Sequence, residues 1–237
     1  MKAQAVAALA KKWADCKRCG LHKTRKHLVF GEGNVDADIL IIGEGPGANE
    51  DDTGKPFQGD AGRILNDLLT SASLDRDNDC YITNIVCCRP TAKNIDERTE
   101  KETVENRVPS KIEREQCWPR LWQLIYMIDP MLIVTVGKVP LQALTSKAAK
   151  MGKIRGRVQT MVLHGRHTQL RYPVMPIYHT AYLARIHDHR PEGPWGQTAN
   201  DLIEICNIID HLRKVYYGID VPDRWGREKR VKGKGKA

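Results

Sequence analysis

Four short apolar runs recur along this chain: 38-DILIIG-43, 80-CYITNIVC-87, 131-MLIVTVG-137 and 174-VMPIYH-179. Each is rich in β-branched residues and too continuous to alternate between a dry face and a wet one. Each therefore reads as a strand buried on both sides. Segments of helical period lie between them. One covers 61–73 behind Asp60, a good N-cap residue, and another covers 112–128, where Ile112, Trp118, Leu121, Ile125 and Ile128 recur near helical spacing. A third starts at Pro140 and runs towards Lys147, and a fourth, 198–217, opens on Thr198 as its candidate cap. Strands alternating with helices predict an α/β fold with a parallel sheet covered on both faces. The segment 156-GRVQTMVLHG-165 is expected to add a short hairpin or an edge strand. Ligands of such sheets sit at the carboxyl ends of the strands, so the chemistry is expected in the loops beginning at Gly43, Cys87, Gly137 and His179.

The chain has 237 residues, no internal repeat and no second set of core-forming segments, so one domain is expected over 1–221. No apolar run approaches the ~18 residues of a membrane span, and no membrane partner is expected. The opening MKAQAVAALAKKWADC reads as an amphipathic helix rather than a cleaved signal, because Lys11, Lys12 and Trp13 follow a short apolar stretch. A cytoplasmic protein is expected, in which seven cysteines are metal ligands or free thiols rather than disulfides. The formal charge is +9, and 223-DRWGREKRVKGKGKA-237 carries seven Lys/Arg against two acids. Residues 222–237 are thus expected to form a basic, disordered tail. The surplus suits a polyanionic partner without naming one. Residues 91–111 are highly charged and lack a hydrophobic period, which predicts a surface insertion.

Cys16 and Cys19 form a C-x-x-C half-site for a metal, and Cys88 and Cys117 are the candidates to complete it. Strand alternation sends Cys87 and Cys88 to opposite sides, so at most one is expected to face the site. Cys80 and Cys206 stand in apolar contexts and read as core thiols. Four thiolates spread in this way suit either a structural zinc or an iron–sulfur cluster, and spacing alone does not choose.

The remaining clue is the stretch after the first strand, 43-GEGPGANEDDTGKPFQGDAGRIL-65, where glycines, acids and the lone Phe57 gather. Taken with the cysteines and a late histidine, it gives a specific resemblance. The chain resembles the family 4, iron–sulfur uracil-DNA glycosylases through Cys16-Lys-Arg-Cys19-Gly-Leu21, Arg25, 29-VFGEG-33, 43-GEGPG-47, 50-ED-51 and 53-TGKPF-57. The likeness continues through 61-AG-62, 81-YITNIV-86, 88-CRP-90, Cys117, 133-IVTVG-137, 155-RG-156 and 179-HTAYLAR-185. It covers roughly residues 13 to 210 and implies a three-layer sandwich with a central four-stranded parallel sheet flanked by helices. It also implies a 4Fe-4S cluster on Cys16, Cys19, Cys88 and Cys117, and removal of uracil from DNA; a monomer is expected.

The same resemblance implies roles for individual residues. Gly43 and Gly45 admit a base close to the backbone, and Phe57 stacks on it, a contact of about 1–3 kcal/mol. The Asn84 amide reads uracil O4 and N3–H, a pattern that cytosine reverses. His179 donates to O2 as the base leaves as an anion, while Glu44 and Glu50 orient water and favour the cationic sugar. Tyr182 or Leu183 is the wedge that enters the duplex, and Arg185 a phosphate or base contact. Several positions depart from the family pattern. Thr180 replaces the usual proline after the histidine, which is expected to loosen the turn that fixes the imidazole. Gln58 and Ala184 replace apolar residues, and 28 residues separate Cys88 from Cys117. Two alternatives therefore stand beside uracil excision: a glycosylase of the same fold acting on another modified pyrimidine, and a non-catalytic iron–sulfur protein that binds DNA.

Overall fold

The computed structural model describes residues 1–95, 98, 102–146, 150–164 and 169–218. The expected tail at 222–237 lies outside them. In chain order the elements are α1 (Lys2–Trp13), β1 (Glu32–Gly33), β2 (Ile39–Gly43), α2 (Ala48–Thr53), α3 (Asp60–Ser71) and β3 (Cys80–Asn84). Next come β4 (Thr91–Ile95), β5 (Glu102–Asn106), α4 (Lys111–Ile128), β6 (Leu132–Val136) and α5 (Lys138–Thr145). The chain continues through α6 (Met151–Ile154), β7 (Gln159–His164), β8 (Gln169–Ile177), α7 (Thr180–Ile186) and α8 (Pro194–Tyr217).

The four apolar runs become β2, β3, β6 and β8, which pair in parallel in the order β3-β2-β6-β8. Two antiparallel strands extend the sheet, β1 beside β3 and β7 beside β8, giving six strands where four were expected. The two-residue β1 is too short to carry a period, and β7 is the edge strand foreseen at 156–165. Alternate side chains of β2 enter different layers. Ile39 and Ile41 pack with Leu65, Leu68, Leu202 and Ile205 from α3 and α8. Leu40 and Ile42 pack with Leu9, Leu121 and Ile125 from α1 and α4. Each of these four β2 residues is at most 1% exposed, and burying such a side chain stabilises the fold by roughly 1.5–3 kcal/mol. Asp38, ion-paired with Arg213, marks the amino end of the run. A one-residue slip would drive its carboxylate among apolar side chains, so the register that sets Gly43 opposite Asn84 is firmly held.

Three local expectations change. Gly59 is the N-cap of α3, and Asp60 is its first residue, ion-paired to Arg63. Helix α8 starts at Pro194, a favoured first-turn residue, and Thr198 sits inside it with its hydroxyl donating to the Pro194 carbonyl at 2.7 Å. The charged insertion contains an antiparallel hairpin, β4 with β5, pairing Thr91 with Asn106. It shows no hydrophobic period because neither of its faces is buried.

Candidate active site

The carboxyl ends of β2, β3 and β8 open into a cleft of about 840 Å³, part of it solvent, lined by Glu44, Glu50, Phe57, Asn84, Asn106 and His179 among others. Two glycines make the convergence sterically feasible. A Cβ on Gly43 would lie 2.3 Å from Asn84 Oδ1 and 2.7 Å from Phe57 Cζ, so amide and ring meet over bare backbone. Gly137 ends β6 at a φ of 95°, and a Cβ there would lie 2.9 Å from the His179 ring. Phe57 itself sits at a φ of 52°, an uncommon conformation for an aromatic residue that turns its ring to this position.

Asn84 is 3% exposed, and its side-chain amide has no hydrogen-bond partner among the described residues. Both ends of that amide are available to a ligand. His179 is the N-cap of α7, its Nδ1 accepting from Ala181 N at 3.1 Å. An accepting Nδ1 leaves the proton on Nε2 as a donor. Burial, with a smaller contribution from the Arg185 charge, lowers the His179 pKa and favours this neutral form. In the turn that Thr180 enters, the imidazole caps its own helix; among the described residues the Thr180 hydroxyl is buried without a partner.

The two glutamates differ. Glu50 accepts from three backbone amides: Gly47 N at 2.9 Å on Oε2, and Gln58 N at 2.7 Å and Gly59 N at 3.1 Å on Oε1. It clamps the glycine-rich turn to the Phe57 loop. Glu44 has no hydrogen bond to its carboxylate among the described residues, and burial raises its pKa against the pull of Arg114. Asp51 is buried next to Glu50 and accepts from Lys26 N and His27 N, joining this loop to the N-terminal segment.

A second cleft of about 920 Å³ shares Glu44, Gly45, Asn106 and His179 and leads out to Arg185. Tyr182 is 36% exposed on α7 and rests obliquely on Tyr178. Leu183 is 4% exposed and packs in the core, so it does not serve as a wedge. Ile186, four residues after Tyr182, is exposed on the same side of α7. Asn106 went unnoticed in the sequence because it belongs to a charged, aperiodic stretch. Arg89 Nε donates to its Oδ1 at 2.7 Å, which leaves Nδ2 turned towards Gly47.

The cysteines gather elsewhere. Cys16, Cys19, Cys88 and Cys117 line one cavity of about 390 Å³ beneath α1 and α4, and Cys87 lines it too. The alternation argument fails because β3 ends at Asn84, leaving Cys87 and Cys88 in a loop. Arg25 Nη1 donates to Cys88 Sγ at 3.3 Å and to the Cys16 carbonyl at 2.7 Å. Arg120, fully buried, approaches Cys117 Sγ at 3.8 Å, and among the described residues its Nε has no partner. The two guanidinium groups place positive charge beside sulfur, which favours a thiolate; at Cys88 burial outweighs Arg25 and pushes the thiol up to about 11, whereas Cys117 is pulled down. Among the described residues no three His, Cys, Asp or Glu side chains form a group that could hold a metal ion. The four cysteines that line one cavity are the candidate ligands for the cluster that the resemblance implies.

A sequence model of the uracil DNA glycosylase superfamily matches residues 30–203. The Type-4 uracil-DNA glycosylase of Pyrobaculum aerophilum is 35% identical over 175 residues, covering 72% of this chain and 80% of that protein. Its counterpart in Saccharolobus solfataricus is 38% identical over 171 residues, 70% of this chain and 71% of the relative. The Type-4 uracil-DNA glycosylase of Thermotoga maritima is 37% identical over 171 residues, 72% and 78% of the two chains.

Proposed function

The chain belongs to the uracil DNA glycosylase superfamily, and from that premise we propose that it is a uracil-DNA glycosylase that hydrolyses the N-glycosidic bond of a uracil turned out of DNA. The observation that carries this reading is a single cleft lined by an aromatic ring, an unpaired amide and an imidazole donor, from Phe57, Asn84 and His179. Extruding a nucleotide costs a few kcal/mol, and stacking on Phe57 returns about 1–3 kcal/mol of it. The Asn84 amide donates to uracil O4 and accepts from N3–H; cytosine would present a donor to a donor and an acceptor to an acceptor. As the bond lengthens, negative charge collects on the base, and the Nε2–H of neutral His179 donates to O2. Glu44 faces the developing cation of the sugar and the attacking water. Glu50 is a positioning residue. Tyr182 and Ile186 form the apolar edge that fills the space left in the duplex, and Arg185 contacts a phosphate.

Cys16, Cys19, Cys88 and Cys117 would hold a 4Fe-4S cluster, which would tie α1 and α4 to the loop after β3 rather than take part in the hydrolysis. Reduced thiols on this site suit a reducing compartment such as the cytoplasm, and the enzyme acts as a monomer.

The test is excision from a single-uracil oligonucleotide followed by alkali, run beside cytosine and other modified pyrimidines. Scission at uracil is expected. His179→Ala and Asn84→Ala are each expected to slow it by about 10²-fold, the scale for loss of one transition-state donor. Scission only at another modified pyrimidine would reassign the substrate. A mobility shift without scission at any base would end the enzymatic reading.

A further inference from the structure

Arg120 is 0% exposed and lies in the middle of α4, three residues after Cys117. Its acceptors among the described residues are the Thr83 hydroxyl on Nη1 at 3.0 Å and, on Nη2, the Asn84 carbonyl at 2.6 Å, the Ile85 carbonyl at 3.4 Å and Cys117 Sγ at 3.8 Å. The Phe30 ring lies against the guanidinium, 5.8 Å from its centroid. No carboxylate is among these partners. The one acid near Arg120 at the thiol cavity, Glu113, is held by Arg107 through two hydrogen bonds of 2.6 and 2.8 Å. A guanidinium keeps its charge at any working pH, and an uncompensated buried charge is strongly unfavourable. Among the described residues here, the sulfurs of the cavity that Arg120 also lines can supply the missing negative charge.

We propose that Arg120 is the buried counter-ion of the thiolate centre and the positioning residue through which that centre fixes the base-reading strand end at Asn84. This rests on the iron–sulfur reading of the four cysteines. One planar group touches a ligand sulfur and the main chain of the residue that reads the base. The fork geometry of arginine is needed because Nη1 and Nη2 must hold Thr83 and Asn84 at once. The Thr83 hydroxyl is oriented in turn by donating to the Phe30 carbonyl at 2.8 Å. Lysine would keep the charge and lose the fork; methionine would lose both.

The experiment compares wild type, Arg120→Lys and Arg120→Met, each purified anaerobically with its metal. Iron per chain, the rate of iron loss to a chelator and the reduction potential report on the counter-ion role. Single-turnover excision, with KM separated from kcat, reports on positioning. Arg120→Met is expected to lose iron about tenfold faster than wild type and to shift the potential in the negative direction, with Arg120→Lys close to wild type in both. Both variants are expected to slow excision by about tenfold or more, mainly in kcat. Wild-type iron retention and potential in Arg120→Met would overturn the counter-ion role, and wild-type excision in Arg120→Lys would overturn the positioning role. If Arg120→Met does not fold, the lysine variant decides: slowed excision with an unshifted potential supports the proposal. Failure of the underlying reading is visible without any variant, as wild-type protein that carries no iron.

Discussion

Gly43 has no room for a methyl group, because its neighbours on that side are the two groups proposed to hold the base. Gly43→Ala is expected to push Asn84 and Phe57 apart, slow excision by about 10²-fold and cost about 1–3 kcal/mol of stability. Gly20→Ala, with nothing within 4 Å of the added atom, is the control that leaves the rate unchanged. Burial raises the Glu44 pKa, and burial with a smaller contribution from the Arg185 charge lowers that of His179, each towards its neutral form. As pH falls, Glu44 gains a proton that neutralises it and His179 one that breaks its cap on Ala181. The acid limb of kcat/KM is therefore expected to involve two protons. Glu44→Gln should leave a weakened, one-proton limb. Glu50→Gln, which turns a donor towards backbone amides, should lower the melting temperature while keeping both protons on the limb. A Glu44→Gln profile with the wild-type rate would remove Glu44 from the mechanism.

Among the elements, α4 joins the thiol cavity, the hairpin and the cleft. It starts with a capping box: the Ser110 hydroxyl accepts from Glu113 N at 3.3 Å, and the Glu113 carboxylate accepts from Ser110 N at 2.7 Å. The same carboxylate pairs with Arg107, the residue after β5, which lines the outer cleft. Ser110→Ala is expected to cost about 1 kcal/mol, seen in denaturant unfolding, and to leave excision nearly unchanged. The hairpin of β4 and β5 carries Asn106 to the edge of the pocket, where Arg89 orients its amide. Asn106→Ala should raise KM for a uracil oligonucleotide several-fold without unfolding the protein. An unchanged KM would return Asn106 to the surface.

At the scale of the whole molecule, the thiol cavity and the cleft stand on either side of the loop after β3. They are joined by two routes, Arg120 to Asn84 and the 25–27 segment to Asp51. Oxidative removal of the cluster proposed on the four cysteines is accordingly expected to lower the melting temperature and the excision rate together, because ligand binding to the folded state alone adds stability. Apoprotein with full activity would separate the two sites. The four buried runs announced the parallel sheet because apolar continuity leaves a strand no wet face, and the motifs named the residues of the cleft. The helix starts at Asp60 and Pro194 were harder to read, since Asp60 and Thr198 carry capping chemistry that the backbone does not use there.

The buried runs, their alternation with helices and the identity of most cleft side chains are written in the chain, because periodicity and residue chemistry are local properties. Distance and pairing are not. Only the folded chain decided that Glu50 is consumed by three amides, that Leu183 is core, that Asn106 reaches the pocket, and that Arg120 lies between a cysteine and Asn84. The Glu50 amides lie within nine residues of it but are gathered only by the folded turn, and the others depend on groups far apart in sequence meeting in a closely packed interior.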